Sequence, residues 1–244
     1  IMDLPLAFFK QRIRAPLHLI SSYAIELTLG DKLNAFKAGE SDSYELSDVN
    51  LLGTCLHVDS AISAGYHQHL DAGMPLPIRY TTVVSTKHIV TNGSFSLNLA
   101  RALTRLKAIY LVIVSAASAN QGTDFVGRTN GDHVDGRTDA VNFHLQVGSQ
   151  RFPDQPATGV AEHYYRLMQA LGKDMDHDSI SLDPTRYLLN KTVYAINLEC
   201  VGNEAAFSGI STMEGKTLTL TVNNAFTGTA VHNVYVFQVA DFLA

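Results

Sequence analysis

The chain contains 244 residues, 46% of them hydrophobic and 17% charged, and carries a formal net charge of −5. Its 18 Lys and Arg residues are scattered singly, without the basic run or stripe that neutralises phosphates, which argues against direct nucleic-acid binding. The longest nearly uncharged apolar run, Ala108 to Ala119, is shorter than the about 20 residues of a transmembrane helix, which argues against a membrane-spanning segment.

Apolar and polar residues alternate with period two along much of the chain, a pattern typical of strands with one face on a core. The first predicted strand runs from about Leu17 to Leu29. A loop at Gly39 to Ser43 leads to a second strand pair at about Ser43 to Val58. The polar positions of this and later stretches should face water: Glu26, Thr28, Asn142, His144, Gln146, Thr219 and Thr221.

A short helix is predicted next, capped by Asp59 or Ser60 and ended by Gly73. It places Ile62, Tyr66 and Leu70 on one face. Strands follow at about Ile78 to Val90 and at Phe95 to Leu99. The dipeptide Asn92-Gly93 between them suits a tight hairpin. The run from Ala108 to Val114 does not alternate, so we predict a central strand that is covered on both faces.

A long loop from Ser115 to Asp139 is rich in polar residues and glycine. Loops of that length inside a compact domain are commonly binding or assembly surfaces. A strand at Val141 to Val147 and a turn at Pro153-Asp154 come next.

The clearest predicted helix spans about Gly159 to Leu171 and ends at Gly172. Its apolar face consists of Val160, Tyr164, Leu167, Met168 and Leu171. Three more strands are predicted at Thr192 to Cys200, Lys216 to Val222 and Val231 to Phe242. About eight strands with two short helices in loops, and no βαβ spacing, predict an all-β jelly-roll sandwich.

No group of residues along the chain completes a catalytic, cofactor or metal site. Asp174, Asp176 and Asp178 have the spacing that opens a calcium loop, but Ser179 and Thr185 replace its required Gly and Glu. Three weaker candidates also lack partners: the pair His67 and His69, the acidic segment around His133, and Ser211 after Gly209. We therefore predict neither an enzyme nor a cofactor.

Three basic residues, Arg101, Arg105 and Lys107, lie between two predicted strands. They are either solvated charges at a strand end or a basic contact to a neighbouring subunit. Cys55 and Cys200 lie in apolar runs and are interpreted as small buried hydrophobes rather than a disulfide.

Several segments resemble the C-terminal jelly roll of double-jelly-roll major capsid proteins, notably those of Polinton-like and other small eukaryotic DNA viruses. The clearest is Gly148-Ser149-Gln150-Arg151-Phe152-Pro153, which follows a core strand and precedes the helix with Glu162 to Tyr165. The others are Leu4-Pro5-Leu6 before a strand, Arg101 to Tyr110, and Phe207 to Thr212.

This resemblance implies a structural protein of the virion that forms trimeric, pseudo-hexagonal capsomers of an icosahedral shell. It implies contacts to neighbouring subunits through loops, including Ser115 to Asp139, and no catalytic residues. A full family member has two jelly rolls, so residues 1–244 are expected to be one domain excised from a longer chain. Two alternatives stay open: a lectin-like carbohydrate-binding jelly roll, with exposed aromatics beside Asn or Asp, and a cupin-like enzyme, which needs a His-x-His set on a strand.

Overall fold

The structure, a computed structural model, describes residues 24–28, 45–50, 52, 56–75, 79–116, 141–172, 187, 192–199, 209–213, 217–226 and 229–243. In these ranges the regular elements are two helices, α1 (Ser60–Asp71) and α2 (Val160–Ala170), and eight strands. The strands are β1 (Arg79–Val90), β2 (Phe95–Asn98), β3 (Arg105–Ser115), β4 (Asn142–Val147), β5 (Gln150–Thr158), β6 (Tyr194–Asn197), β7 (Leu218–Asn223) and β8 (His232–Leu243).

The strands form two four-stranded antiparallel sheets. Sheet I has the order β1-β8-β3-β6, and sheet II has the order β2-β7-β4-β5. The chain thus pairs its first strand with its last, its second with its seventh, its third with its sixth and its fourth with its fifth. This nested pairing is that of a jelly roll, and the predicted all-β sandwich with two short helices is confirmed.

The core lies between the two sheets and is built from alternate residues of their strands. Leu145 of β4 lies opposite Leu220 of β7, and both side chains are fully buried. Ile109 and Leu111 of β3 meet them from sheet I. Burying each such side chain stabilises the fold by about 1.5–3 kcal/mol relative to leaving it exposed.

The central strand and the second helix are confirmed. β3 lies between β8 and β6, and Tyr110 points away from the core toward α2, where its hydroxyl donates to the Ala170 carbonyl at 2.7 Å. α2 buries Leu167 and Met168, and Gly172 follows it with a φ of 66°. Leu171 was expected on the apolar face but is 45% exposed.

The first helix also forms as predicted. The Asp59 carboxylate accepts from the Ala61 amide at its N-terminus, and Gly73 follows it with a φ of 72°. However, α1 buries none of its residues, and Ile62 and Leu70 stay exposed. Within the described ranges, no helix is long and apolar enough to cross a membrane.

Two predicted turns are wrong. β1 and β2 belong to different sheets, so Asn92-Gly93 carries the chain across the sandwich and does not form a hairpin. The predicted turn at Pro153-Asp154 lies within β5, and the chain reverses at Gly148-Ser149 instead. β5 is one of the two outer strands of sheet II, where a proline removes no hydrogen bond from an interior ladder.

The N-terminal strand predictions are wrong wherever they can be compared with the structure. Residues 24–28 form no strand, and Ile25 and Leu27 are exposed. The described parts of the predicted pair at 43–58 likewise form no strand. Alternation marks side-chain faces, but a strand also requires a partner for its backbone hydrogen bonds. The Gly39 to Ser43 loop and residues 117–140 of the long loop lie outside the described residues.

Candidate assembly surfaces

The outer face of sheet I carries a group of apolar side chains where β1 and β8 run side by side. Val83 and Ile89 of β1 are 53% and 68% exposed. Across the ladder, Val83 lies opposite Val239, while Ser85 and Lys87 lie opposite Phe237 and Tyr235. All three of these β8 side chains are partly accessible. We call this surface the apolar strip; its members are Val83, Ile89, Tyr235, Phe237 and Val239.

The other half of the same face is covered by α2. Leu167 and Tyr164 of the helix pack with Tyr110 of β3 and Ala195 of β6 in one apolar cluster. Tyr164 also meets Tyr187 edge to face, with ring centroids 5.4 Å apart. Among the described elements, α2 therefore covers the outer face over β3 and β6, and neither described helix covers Val83 and Ile89 on the β1–β8 half.

The outer face of sheet II is polar, as the alternation of β4 and β7 predicts. Its described strand residues form hydroxyl and amide pairs: Ser96 with Thr221 at 3.2 Å, and Asn223 donating to Asn142 at 2.8 Å. The predicted water-facing residues of these strands all lie here: Asn142, His144, Gln146, Thr219 and Thr221. This face carries no Tyr, Phe or Trp in the described strands, so it lacks the aromatic platform of the lectin alternative.

The basic residues near the start of β3 behave differently from one another. Lys107 contacts the carboxylates of Glu199 at 2.8 Å and Asp241 at 3.6 Å, and Asp241 also accepts from Thr81 at 2.6 Å. Burial opposes the charge of Lys107, but these two carboxylates outweigh it and raise the pKa of the lysine. Lys107 thus links β3 and β8 to the segment that follows β6, so its interpretation as a solvated charge is wrong, while a contact of these basic residues to a neighbouring subunit stays a prediction. Arg101 is exposed.

The other candidate residues are not brought together. His67 and His69 lie on the exposed helix α1, and Ser211 is exposed in an extended segment after Ile210, which bridges to Leu106. Asp174 to Asp178, the segment around His133, and both cysteines lie outside the described residues. Among the residues that the structure describes, no group of three His, Cys, Asp or Glu side chains could hold a metal ion.

A buried histidine, His163, was not anticipated from the sequence. It projects from α2 into an aromatic cluster, with its ring 5.3 Å from Phe143 and 5.1 Å from Tyr194. Its Nε2 lies 2.9 Å from the Val141 carbonyl, so the neutral ring donates there, and its buried Nδ1 has no hydrogen-bond partner. The sequence gives only one sign that His163 is buried: it lies one helical turn before the apolar residue Leu167. Its neighbours in the Glu-His-Tyr-Tyr segment are polar or aromatic and do not indicate which face is buried.

Burial lowers the pKa of His163, and this effect outweighs the Val141 carbonyl and Glu162, which favour the protonated ring. Above the ordinary pKa of about 6.5 the ring is neutral in both the folded and the unfolded chain. In that range His163 does not make the free energy of unfolding change with pH. Below it, the unfolded chain takes up a proton first, and the free energy of unfolding falls by at most about 1.4 kcal/mol per pH unit.

We therefore expect His163→Gln to flatten the decline in stability between about pH 7 and pH 5. Urea unfolding followed by circular dichroism at several pH values measures this slope. His144→Gln is the matched control, because the pKa of His144 is also lowered, by burial and by Arg151, but its ring is more accessible. An unchanged slope in His163→Gln would contradict the assignment.

Comparisons with known proteins add the following. Neither models of protein families nor the curated proteins give a match. Solved structures do match. The major capsid protein P2 of bacteriophage PM2 is 12% identical with a TM-score of 0.37, covering 67% of this chain and 45% of that one. The Faustovirus major capsid protein is 7% identical with a TM-score of 0.48, covering 76% and 36%.

A quasi-atomic model of the PBCV-1 virus capsid is 11% identical with a TM-score of 0.40, covering 72% of this chain and 52% of that one. All three are viral capsid structures. The chain spans 45%, 36% and 52% of their lengths.

Proposed function

We propose that this chain is the second jelly roll of a viral major capsid protein and that its function is assembly. The observation that carries the proposal is the asymmetry of its two outer faces. Sheet II presents hydroxyls and amides, whereas sheet I presents the apolar strip, with Val83 and Ile89 more than half exposed. A contiguous apolar patch on a folded domain marks a surface that another protein covers.

The rigid sandwich and the sequence resemblance support the same function. In the intact protein, three double jelly rolls form a pseudo-hexagonal capsomer of an icosahedral shell, located in the virion. On the basis of its length and polarity, we also assign inter-subunit contacts to the loop from Ser115 to Asp139. Capsid assembly of this kind uses many weak contacts on a rigid scaffold and needs no active site.

The proposal predicts that the full-length protein, with both jelly rolls, forms trimers and that the apolar strip is required for them. Sedimentation velocity over a range of concentrations measures the oligomer, and electron microscopy tests for ring-shaped capsomers. Val83→Lys with Ile89→Lys should weaken trimer formation at least tenfold, because both changes place a charge in the buried contact.

The matched control is Ser96→Lys with Gln146→Lys, which adds the same two charges to exposed positions of sheet II. This control should assemble like the original chain. A full-length protein that stays monomeric in concentrated solution, or a control that loses assembly as fully as the strip variant, would contradict the proposed function.

A further inference from the structure

A glutamine amide lies inside the hydrophobic core. Gln238 belongs to β8 and lies on the face that turns toward sheet II, between the core residues Val236 and Ala240. Its exposed fraction is 0%. Among the described residues, neither the Nε2 donor nor the Oε1 acceptor of this amide has a hydrogen-bond partner. The core therefore contains a donor and an acceptor that the described part of the chain does not satisfy.

Two other buried polar side chains show how this fold treats such groups. Thr212 accepts from the Leu103 amide at 2.9 Å and donates to the Arg101 carbonyl at 3.0 Å. Thr192 donates to the Tyr187 carbonyl at 2.7 Å. Leaving one buried polar group bare lowers the folding equilibrium constant about 5- to 150-fold, so folded proteins pair such groups with protein atoms or with ordered water. The amide in β8 is expected to follow the same rule.

The register of sheet I shows on which side further polar atoms lie. Gln238 is directly opposite Ile109 of β3 and Val84 of β1. On the β3 side the next residues of the same face are leucines, which have no polar side-chain atoms. On the β1 side Val84 is flanked on this face by Thr82 and Thr86. Two hydroxyls therefore lie diagonally across the ladder from the amide.

The distance and the exposure of these threonines suit a bridge through water. Diagonal neighbours on a ladder lie about 7–8 Å apart, within reach of a long side chain. Both threonines are half-buried, and β1 is an outer strand of sheet I. The Thr86 hydroxyl lies 3.2 Å from Nε2 of His88. A hydroxyl offers one donor and two acceptor sites, so Thr86 can also bind a second group.

We propose that Gln238 binds buried water and that this water connects its amide to the hydroxyls of Thr82 and Thr86 on β1. A water molecule both donates and accepts, as the amide does, and a buried water typically makes about three hydrogen bonds. Because the amide has no exposed surface, the fold leaves no opening to it for a larger ligand. The bridge joins β1 to β8 on the core face, in addition to their backbone ladder, and does not depend on the assembly function.

A crystal structure of the full-length protein, at a resolution that shows ordered water, tests the site directly. We expect a water within about 2.7–3.2 Å of the Gln238 amide and of at least one of the two threonine hydroxyls. An amide that bonds directly to another part of the protein, or that has no water beside it, would overturn the proposal. The unaltered protein decides this point, so the test does not depend on the folding of a variant.

Magnetic relaxation dispersion of water oxygen-17 counts long-lived waters in solution. Gln238→Met keeps the length of the side chain without its polar atoms and should lose at least one such water per chain. Thr82→Val with Thr86→Val should lose it as well. The matched control is Thr219→Val with Thr221→Val, which removes two half-buried hydroxyls from the outer face of sheet II and should leave the count unchanged. An unchanged count in Gln238→Met, or in the β1 threonine variant, would show that the bridge does not exist.

Discussion

Replacing Gly93 with alanine is expected to destabilise the sandwich by about 3 kcal/mol or more, since backbone must move to admit the new methyl group. A Cβ atom at this position would lie 1.8 Å from the carbonyl oxygen of Phe226. Phe226 follows β7, and the neighbouring Ala225 amide donates to the Gly93 carbonyl at 2.8 Å. The glycine is therefore required by close approach of two backbone segments where the chain passes from one sheet to the other.

Gly65→Ala is the matched control for this prediction. Gly65 lies inside α1, and nothing lies within 4 Å of the position of its added Cβ. Alanine favours a helix over glycine by about 1 kcal/mol, so this variant should be as stable as the original chain or slightly more so. Thermal unfolding followed by circular dichroism compares the two. Equal melting temperatures for both variants would show that the crossing at Gly93 tolerates a side chain.

Phe143→Ala is expected to cost about 3–5 kcal/mol, the usual range for truncating a buried phenylalanine. The side chain is 1% exposed and meets the Tyr194 ring edge to face at 5.4 Å. It also lies against His163, so its removal opens a cavity where both sheets and α2 converge. Hydrogen exchange of the α2 amides should rise along with the loss of global stability.

Tyr165→Ala serves as the control on the same helix, because Tyr165 is an aromatic side chain that is 54% exposed. Its truncation should change the free energy of unfolding by no more than about 0.5 kcal/mol. Urea unfolding measures both variants. A similar small change for Phe143→Ala would mean that this aromatic cluster does not anchor the helix.

The elements that were predicted correctly are those whose own residues are enough to identify them as a strand or a helix. The unbroken apolar run of β3 indicated a strand covered on both faces. The Gly172 stop and the spacing of Leu167 and Met168 indicated α2. In each case the residues that determine the element lie within it, so no distant partner had to be known.

The errors arise where distant contacts decide the outcome. Asn92-Gly93 looks like a hairpin turn, but β2 pairs with β7, which lies more than 100 residues later. Pro153 looks like a turn residue, but its strand is at the border of a sheet. The alternation around Ile25 and Leu27 has no strand in the described residues, because a partner for pairing cannot be read from one segment.

The candidate surface was only half predictable. The polar face of sheet II follows directly from alternation in β4 and β7. The apolar strip does not, because β8 is apolar on both faces from Val234 to Phe237, and its outer face could have been covered by its own chain. The signal was nevertheless present: Tyr235, Phe237 and Val239 alternate with core residues, so two faces of one strand needed cover.

The prolines of β5 have a consequence for crowded molecules. At the border of a sheet, free backbone donors and acceptors invite strands of other molecules to add on, and repeated addition leads to fibres. Pro153 and Pro156 lie in this outer strand and have no amide hydrogen to offer. The β5 border of sheet II is thereby a poor template for open-ended growth, and at the opposite border the outer strand β2 is only four residues long, which gives an added strand little backbone to pair with.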